Sequence, residues 1–152
     1  MIELNLPPYP CKLKQEKDKI LIFDELRRRY VTLTPEEWVR QHFVAFLANE
    51  KGFPRGLMGN EISLTLNKCS RRCDTVVYDR NGRPLCIVEY KAPHIEITQK
   101  TFDQIVRYNQ VLQVNYLLVS NGLTHYCCRI DYATGNYAFL PDIPTYTDLG
   151  ST

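Results

Sequence analysis

Apolar positions recur with several distinct spacings along the 152-residue chain. Ile20 to Phe23 and Arg28 to Leu33 have strand-like composition on either side of the polar Asp24–Glu25, which predicts a hairpin near the N-terminus. Thr34–Pro35–Glu36–Glu37 then supplies a hydroxyl cap, a proline at the first helical position and a glutamate three residues after the cap. Those are helix-start signals. Val39, Phe43, Phe46 and Leu47 follow at helical spacing, with Trp38 adding bulk beside them, and Gly52 and Pro54 end the helix near Lys51.

From Asn60 the spacing changes. Ile62, Leu64 and Leu66 alternate with Ser63, Thr65 and Asn67, as in a half-buried strand. Asp74 to Asp79 and Leu85 to Tyr90 read as two further strands joined by Arg80–Asn81–Gly82–Arg83, where Asn-Gly suits a type I′ turn with two positive φ angles. A second helix is predicted over Thr101 to Leu112, with Phe102, Ile105, Val106 and Leu112 on its apolar side. Tyr116 to Ser120 reads as a buried strand and Asn121–Gly122 as a turn, and Thr124 to Ile130 with Tyr137 to Leu140 close the fold. This order predicts an α/β sandwich with a mixed central sheet flanked by helices. Residues 20–140 form its single domain. Residues 1–19 make an N-terminal arm and 141–152 a C-terminal tail, with the proline-rich Met1–Pro10 and the turn-forming Pro141–Thr152 loosely attached.

Charge changes this picture little. Nineteen Lys and Arg against seventeen Asp and Glu give a net charge of +2, too small for a whole-molecule field that draws in polyanions. Affinity for phosphate would have to come from local clusters, of which there are two: Arg27–Arg28–Arg29, and Lys68 with Arg71 and Arg72. Met1 to Pro10 lacks the basic start and apolar run of a signal peptide, and no apolar stretch is long enough to cross a bilayer. The expectation is a soluble cytoplasmic protein without a membrane partner. The six cysteines contain no C-x-x-C pair, and Cys127–Cys128 would point to opposite faces of a strand, so reduced and mostly buried thiols are expected rather than disulfides or zinc. His42, His94 and His125 are too scattered to suggest a metal site.

The informative segment is Leu85-Cys86-Ile87-Val88-Glu89-Tyr90-Lys91. Its body must be buried, yet it ends in opposite charges. Residues two apart on a strand share a face, so Glu89 and Lys91 project together while Tyr90 faces away. Asp74 opens the apolar run of the preceding strand, and an antiparallel hairpin would bring it beside Glu89. Two carboxylates converging on one spot need a shared proton or a cation. Magnesium suits one or two carboxylates completed by water and phosphate oxygens.

Asp74, followed fifteen positions later by Glu89-x-Lys91 at the end of an apolar strand, resembles the PD-(D/E)XK nuclease signature of the restriction-endonuclease-like fold. Thr34-Pro35-Glu36-Glu37-Trp38-Val39-Arg40-Gln41 and Gln104-x-x-x-Tyr108 are similar to flanking motifs of the N-terminal nuclease-like domain of type I restriction enzyme R subunits. The likeness covers about residues 20 to 140; the chain departs from the literal signature in having Cys73 where proline would stand. The resemblance implies a metal-dependent deoxyribonuclease using Mg²⁺, or Mn²⁺ in its place, and leaving 5′-phosphate and 3′-hydroxyl ends. Asp74, Glu89 and the carbonyl of Tyr90 would hold the metal. Lys91 would orient the attacking water and neutralise developing charge. Glu37 would hold metal-bound water or a second cation, and Gln104 would steady the site with Tyr108 one turn on. Arg40, Arg71 and Arg72 would meet DNA, and a homodimer would serve to cut both strands.

Structural readings compete at several positions. Glu37 could close a capping box with Thr34, which leaves Glu36 as the fallback ligand, and Gln104 could cap a helix starting at Thr101. Asp74, Glu89 and Lys91 could form a buried ion cluster without metal, although such a cluster is costly. The competing function is a catalytically silent nucleic-acid-binding or assembly module of the same fold.

Overall fold

A computed structural model describes residues 2–150; Met1, Ser151 and Thr152, at the ends of the expected arm and tail, lie outside the described residues. The first elements are three short antiparallel strands, β1 (Leu13–Glu16), β2 (Lys19–Asp24) and β3 (Arg29–Thr32), which form a small sheet of their own. Helix α1 (Pro35–Glu50) follows. A six-stranded sheet is built from β4 (Met58–Leu66), β5 (Cys69–Tyr78), β6 (Pro84–Tyr90), β7 (Tyr116–Ser120), β8 (His125–Asp131) and β9 (Asn136–Leu140), in that spatial order. Helix α2 (Gln99–Gln110) joins β6 to β7, and a short α3 (Tyr146–Gly150) ends the described chain.

All neighbours in the large sheet are antiparallel except β6 and β7. A parallel pair needs a crossover, and α2 is that crossover. The sheet is therefore mixed, as its sequence order predicts. Each face carries a core. Val39, Phe43 and Leu47 of α1 pack with Val77, Val88, Tyr90, Leu118 and Cys127. Phe102, Ile105 and Val106 of α2 pack with Val76, Ile87, Leu117, Val119 and Cys128 on the other face. Cys127 and Cys128 thus fall in opposite cores, and all six cysteines are free thiols among the described residues.

Local chemistry sets the helix ends. Thr34 caps α1, its hydroxyl accepting from the Glu37 amide at 3.0 Å, and Gly52 at φ 72° turns the chain away after Lys51. The second helix begins earlier than predicted because Thr98 rather than Thr101 is its cap; the Thr98 hydroxyl accepts from the Thr101 amide at 3.1 Å.

Two expectations are corrected. The turn at Asn81–Gly82 is not type I′, because only Gly82 has a positive φ (79°). Asp79 accepts from the amides of Asn81 and Arg83 and organises that turn, with a bulge between Val77 and Tyr78 taking up the register. The paired positive φ angles occur instead at Asn67 (52°) and Lys68 (67°), the two-residue link between β4 and β5. The chain ends are not loose either. β1 lies within the expected arm and pairs with β2, Asn5 donates to the Gly122 carbonyl at 2.8 Å, and Leu4 and Leu6 pack on the α1-side core. In the tail, Tyr146 and Leu149 are buried in that core and the Tyr146 amide donates to the Lys51 carbonyl at 2.9 Å. The apolar side chains among the prolines and turn residues decide the outcome: burial outweighs a loop-like composition.

Candidate functional site

The end of β6, with the facing parts of β5 and β4, lies beside the N-terminal half of α1 and the exposed flank of α2, and the gap between these elements is a cleft of about 920 Å³. Asp74, Glu89, Tyr90, Lys91, Gln104 and Tyr108 line it together, as do Glu37, Arg40 and Arg72. The cleft therefore gathers residues from both helices and from the neighbouring strands β4, β5 and β6. Of the predicted site residues, Arg71 alone lies outside its lining.

The two acids meet as the hairpin register requires. Thr75 pairs with Val88 and Val76 with Ile87, so Asp74 stands opposite Glu89. Asp74 Oδ2 accepts from the Tyr90 amide at 2.9 Å. Strict alternation breaks next to it: Cys73 and Val76, three apart, both pack on the α2 side, and the facing β4 residue Glu61 has φ 58°. Burial, and after it the Asp74 carboxylate, push the Glu89 carboxyl well above the usual carboxylate range. Its Oε1 is buried without a hydrogen-bond partner among the described residues. A buried carboxylate oxygen left unpaired beside a second carboxylate fits a divalent cation, which would satisfy the orphan and relieve the repulsion together. No cluster of three His, Cys, Asp or Glu side chains surrounds the spot among the described residues, so the protein's side-chain share of such a site is these two acids.

Lys91 lies just past the end of β6, its amide donating to the Ser120 carbonyl at 2.9 Å. Its ammonium makes no ion pair with Asp74 or Glu89 among the described residues, so the two acids are not neutralised in a closed cluster. The ring of Tyr90 points to the opposite face, where its hydroxyl lies 2.9 Å from that of Thr75 in the α1-side core. Gln104 sits in the second turn of α2 and is exposed to the cleft, which removes the capping alternative, since Thr98 is the cap.

The arginines and Glu37 differ from expectation. Both Glu37 oxygens are taken: Arg27 Nη2 donates at 2.7 Å, Arg40 Nε and Nη2 at 2.9 and 2.6 Å, and Gln41 Nε2 at 2.9 Å. Burial alone would raise the Glu37 carboxyl, but the Arg40 and Gln41 hydrogen bonds and the two guanidinium charges hold it low. It neither reaches the acids nor closes a capping box; it is the hub of an ion network. Arg40, buried and expected to meet substrate, spends its guanidinium on Glu37, on Glu61 at 3.0 Å and on the Asp74 carbonyl at 3.0 Å. It positions the backbone of Asp74. Arg71 donates to the Tyr108 carbonyl at 3.0 Å with its guanidinium 4.9 Å from the Tyr108 ring centre, a link between β5 and α2. Arg72 pairs with Glu61 at 2.6 Å yet remains exposed at the cleft.

Sequence reasoning missed Glu61 and Asn109 here and placed Arg27 only in a basic cluster. Glu61 joins Arg40 and Arg72; Arg27 bridges the buried Asp24 to Glu37; Asn109 is buried on α2 beside Glu89, close enough for its amide to favour the charged form of that acid. The signal for Asn109 was present, because it is polar and four residues after Ile105 on the apolar face of α2.

Residues 35–144 match the family described as type I restriction enzyme R protein N terminus (HSDR_N). Among solved structures, a fragment titled as "a putative HsdR subunit of a type I restriction enzyme" from Vibrio vulnificus YJ016 aligns with a TM-score of 0.55 at 21% identity, over 78% of this chain and 25% of that one. A DrdV–DNA complex aligns at a TM-score of 0.43 and 11% identity, over 76% of this chain and 11% of that one. No curated protein sequence matches. The chain thus spans a quarter of the length of the HsdR fragment, and the shared part is the mixed α/β sheet with its flanking helices. With the family match extending over most of its residues, the chain belongs to the type I restriction enzyme R protein N-terminus family.

Proposed function

We propose that the cleft is the active site of a divalent-metal-dependent deoxyribonuclease of the PD-(D/E)XK type, in a restriction-endonuclease-like sandwich. The observation that carries this reading is the Asp74–Glu89 pair: two facing acids, one with an unpartnered buried oxygen, opening into a cleft with a lysine alongside. A buried charge pair of one sign is costly unless a cation is its purpose. Membership of a restriction-subunit family supports DNA as the substrate.

Asp74 and Glu89 would hold the cation, and the Tyr90 amide keeps the Asp74 carboxylate turned toward it. Magnesium, or manganese in its place, would supply Lewis acidity and an acidified water. The Lys91 ammonium stays free of both acids and would face the scissile phosphate, where a fixed positive charge counters the negative charge that grows in the transition state. Gln104 and Tyr108 would contact the substrate or its waters from α2. Arg72, exposed and held at one edge by Glu61, would meet a phosphate at the cleft mouth.

Cleavage of plasmid DNA with Mg²⁺ or Mn²⁺ tests the reading. The wild type is expected to nick or linearise the plasmid, and Asp74→Ala and Lys91→Ala to be inert. Equal cutting by all three proteins would mean contamination and would end the proposal. Binding of DNA without cutting by any of them would favour the silent module.

A further inference from the structure

The small sheet presents an outer face that the cleft does not account for. Lys14 pairs with Leu21 and Leu21 with Thr32, while Phe23 pairs with Tyr30, so Lys14, Leu21, Phe23, Tyr30 and Thr32 share one side. The other side turns Ile22 and Asp24 into the protein, both fully buried. Lys12 joins the outer side across from Phe23, and Lys19 lies on it two residues before Leu21. Residues 12–30 hold seven of the nineteen Lys and Arg in the chain, against four acids of which Asp24 is buried. Of these seven, Lys12, Lys14 and Lys19 share the outer face, where Glu16, the partner of Lys19, is the one acid among the paired strand residues, while Arg27 is taken up by the buried Asp24 and Glu37.

The lysines are also held in place. Lys12 Nζ lies 5.3 Å from the Phe23 ring centre and Lys14 Nζ 4.8 Å from that of Tyr30, and the two rings pack edge to face at 5.2 Å. Seating an ammonium on an aromatic ring lowers the entropy lost when it binds an anion. The acid nearest to them is Glu16, 3.5 Å from Lys14, and both partners are exposed. Such a surface pair is readily exchanged for another anion. The patch runs into the cleft, because Thr32, on the same face, lines it together with Arg27 and Thr34.

We propose that the outer face of the β1–β3 sheet, with Lys12, Lys14 and Lys19, is a binding surface for the phosphate backbone of DNA leading into the cleft. Charge complementarity selects a polyanion, and continuity with Asp74 and Glu89 through Thr32 selects one that passes through the cleft. The inference rests on the nuclease reading only in taking that polyanion to be the substrate strand.

Fluorescence anisotropy with a labelled DNA duplex, in chelator so that nothing is cut, provides the test. Reversal of Lys12, Lys14 and Lys19 to Glu should weaken binding on the order of tenfold or more, and should flatten the slope of log affinity against log salt by about 2 to 3, one step per lost phosphate contact. The control reverses Lys51, Arg80 and Arg83, at the far end of α1, where Lys51 and Arg80 both adjoin Tyr146. It should bind nearly as the wild type does. Equal weakening by both triple variants would reduce the effect to net charge and overturn the proposal, as would unchanged binding by the first. The Lys12, Lys14 and Lys19 replacements by Gln, milder for folding, should give the same order with a smaller loss. Failure of the nuclease reading looks different: binding that depends on the sheet, with no metal-dependent cleavage, keeps this surface and removes the enzyme. A wild type that binds no DNA removes both.

Discussion

The main-chain amide of Tyr90 donates to Oδ2 of Asp74 at 2.9 Å, so one carboxylate of the site is anchored by the residue next to the other. The anchor holds the Asp74 carboxylate against Glu89, whose ionised form it repels. Asp74→Asn keeps an acceptor for that amide and removes the repulsion. Metal-free unfolding temperature should hold or rise, while calorimetric Mn²⁺ binding and DNA cleavage are lost. A large fall in stability without metal would mean that Asp74 is there for the fold.

Glu89 gives a pH signature of definite sign. Its folded carboxyl titrates above the ordinary value of 4.5, first through burial and then through Asp74. Above that pH the unfolded chain is ionised while the folded one keeps its proton, so the folded state binds more protons and stability falls as pH rises. Asp24, Glu37 and Glu61 are shifted down and act at lower pH; His125, also shifted down by burial, acts with the opposite sign near neutrality. Comparing metal-free wild type with Glu89→Gln cancels these. The melting-temperature difference in favour of the Gln variant should widen from about pH 5 upward. A flat difference would remove the perturbed acid.

Much of this site could be read along the chain because it depends on short-range rules. A two-residue period puts Glu89 and Lys91 on one side of a strand, and a tight hairpin fixes which acid faces which; both hold in the structure. The roles of Glu37 and Arg40 were legible only in part: Arg40 and Gln41 stand three and four residues after Glu37 on one helix face, but the other partners come from outside the helix. Arg27 precedes α1 and Glu61 lies on β4, and only packing brings them to one helix face. The positive φ of Glu61 left no trace in composition, since glutamate is an ordinary strand residue at that alternating position. The paired positive φ angles were sought at Asn-Gly, yet Asn67–Lys68 carries them, where two long strands in register leave two residues for the link.

Glu37 separates a structural hub from a ligand. Glu37→Gln would leave Arg27 and Arg40 without their shared buried counter-charge, a change that typically costs about 3 kcal/mol or more. Urea unfolding should show that loss. Because Arg40 also donates to the Asp74 carbonyl, Mn²⁺ affinity should fall with it. Intact stability with abolished cleavage would instead return Glu37 to the metal.

Lys91→Met removes the ammonium and keeps most of the side-chain volume. Lys91 is paired with neither acid among the described residues, so stability should stay within about 0.5 kcal/mol, as for a residue outside any buried network. Mn²⁺ affinity should be kept or improved, while cleavage falls on the order of a hundredfold or more. Lost metal binding would place Lys91 in a structural role.

Asn109 tests whether the buried oxygens next to the acids are there for the site. Its Nδ2 donates to the Ile105 carbonyl at 3.0 Å, which leaves Oδ1 buried and unpaired, like Glu89 Oε1. An unsatisfied buried oxygen costs about 1–3 kcal/mol, and an apolar side chain of the same shape removes that cost. Asn109→Leu should therefore leave metal-free stability unchanged or higher. It also removes an amide that favours ionised Glu89, so Mn²⁺ should bind more weakly by calorimetry. Reduced stability with unchanged metal affinity would make Asn109 an ordinary helix residue and leave the orphaned oxygens without a function.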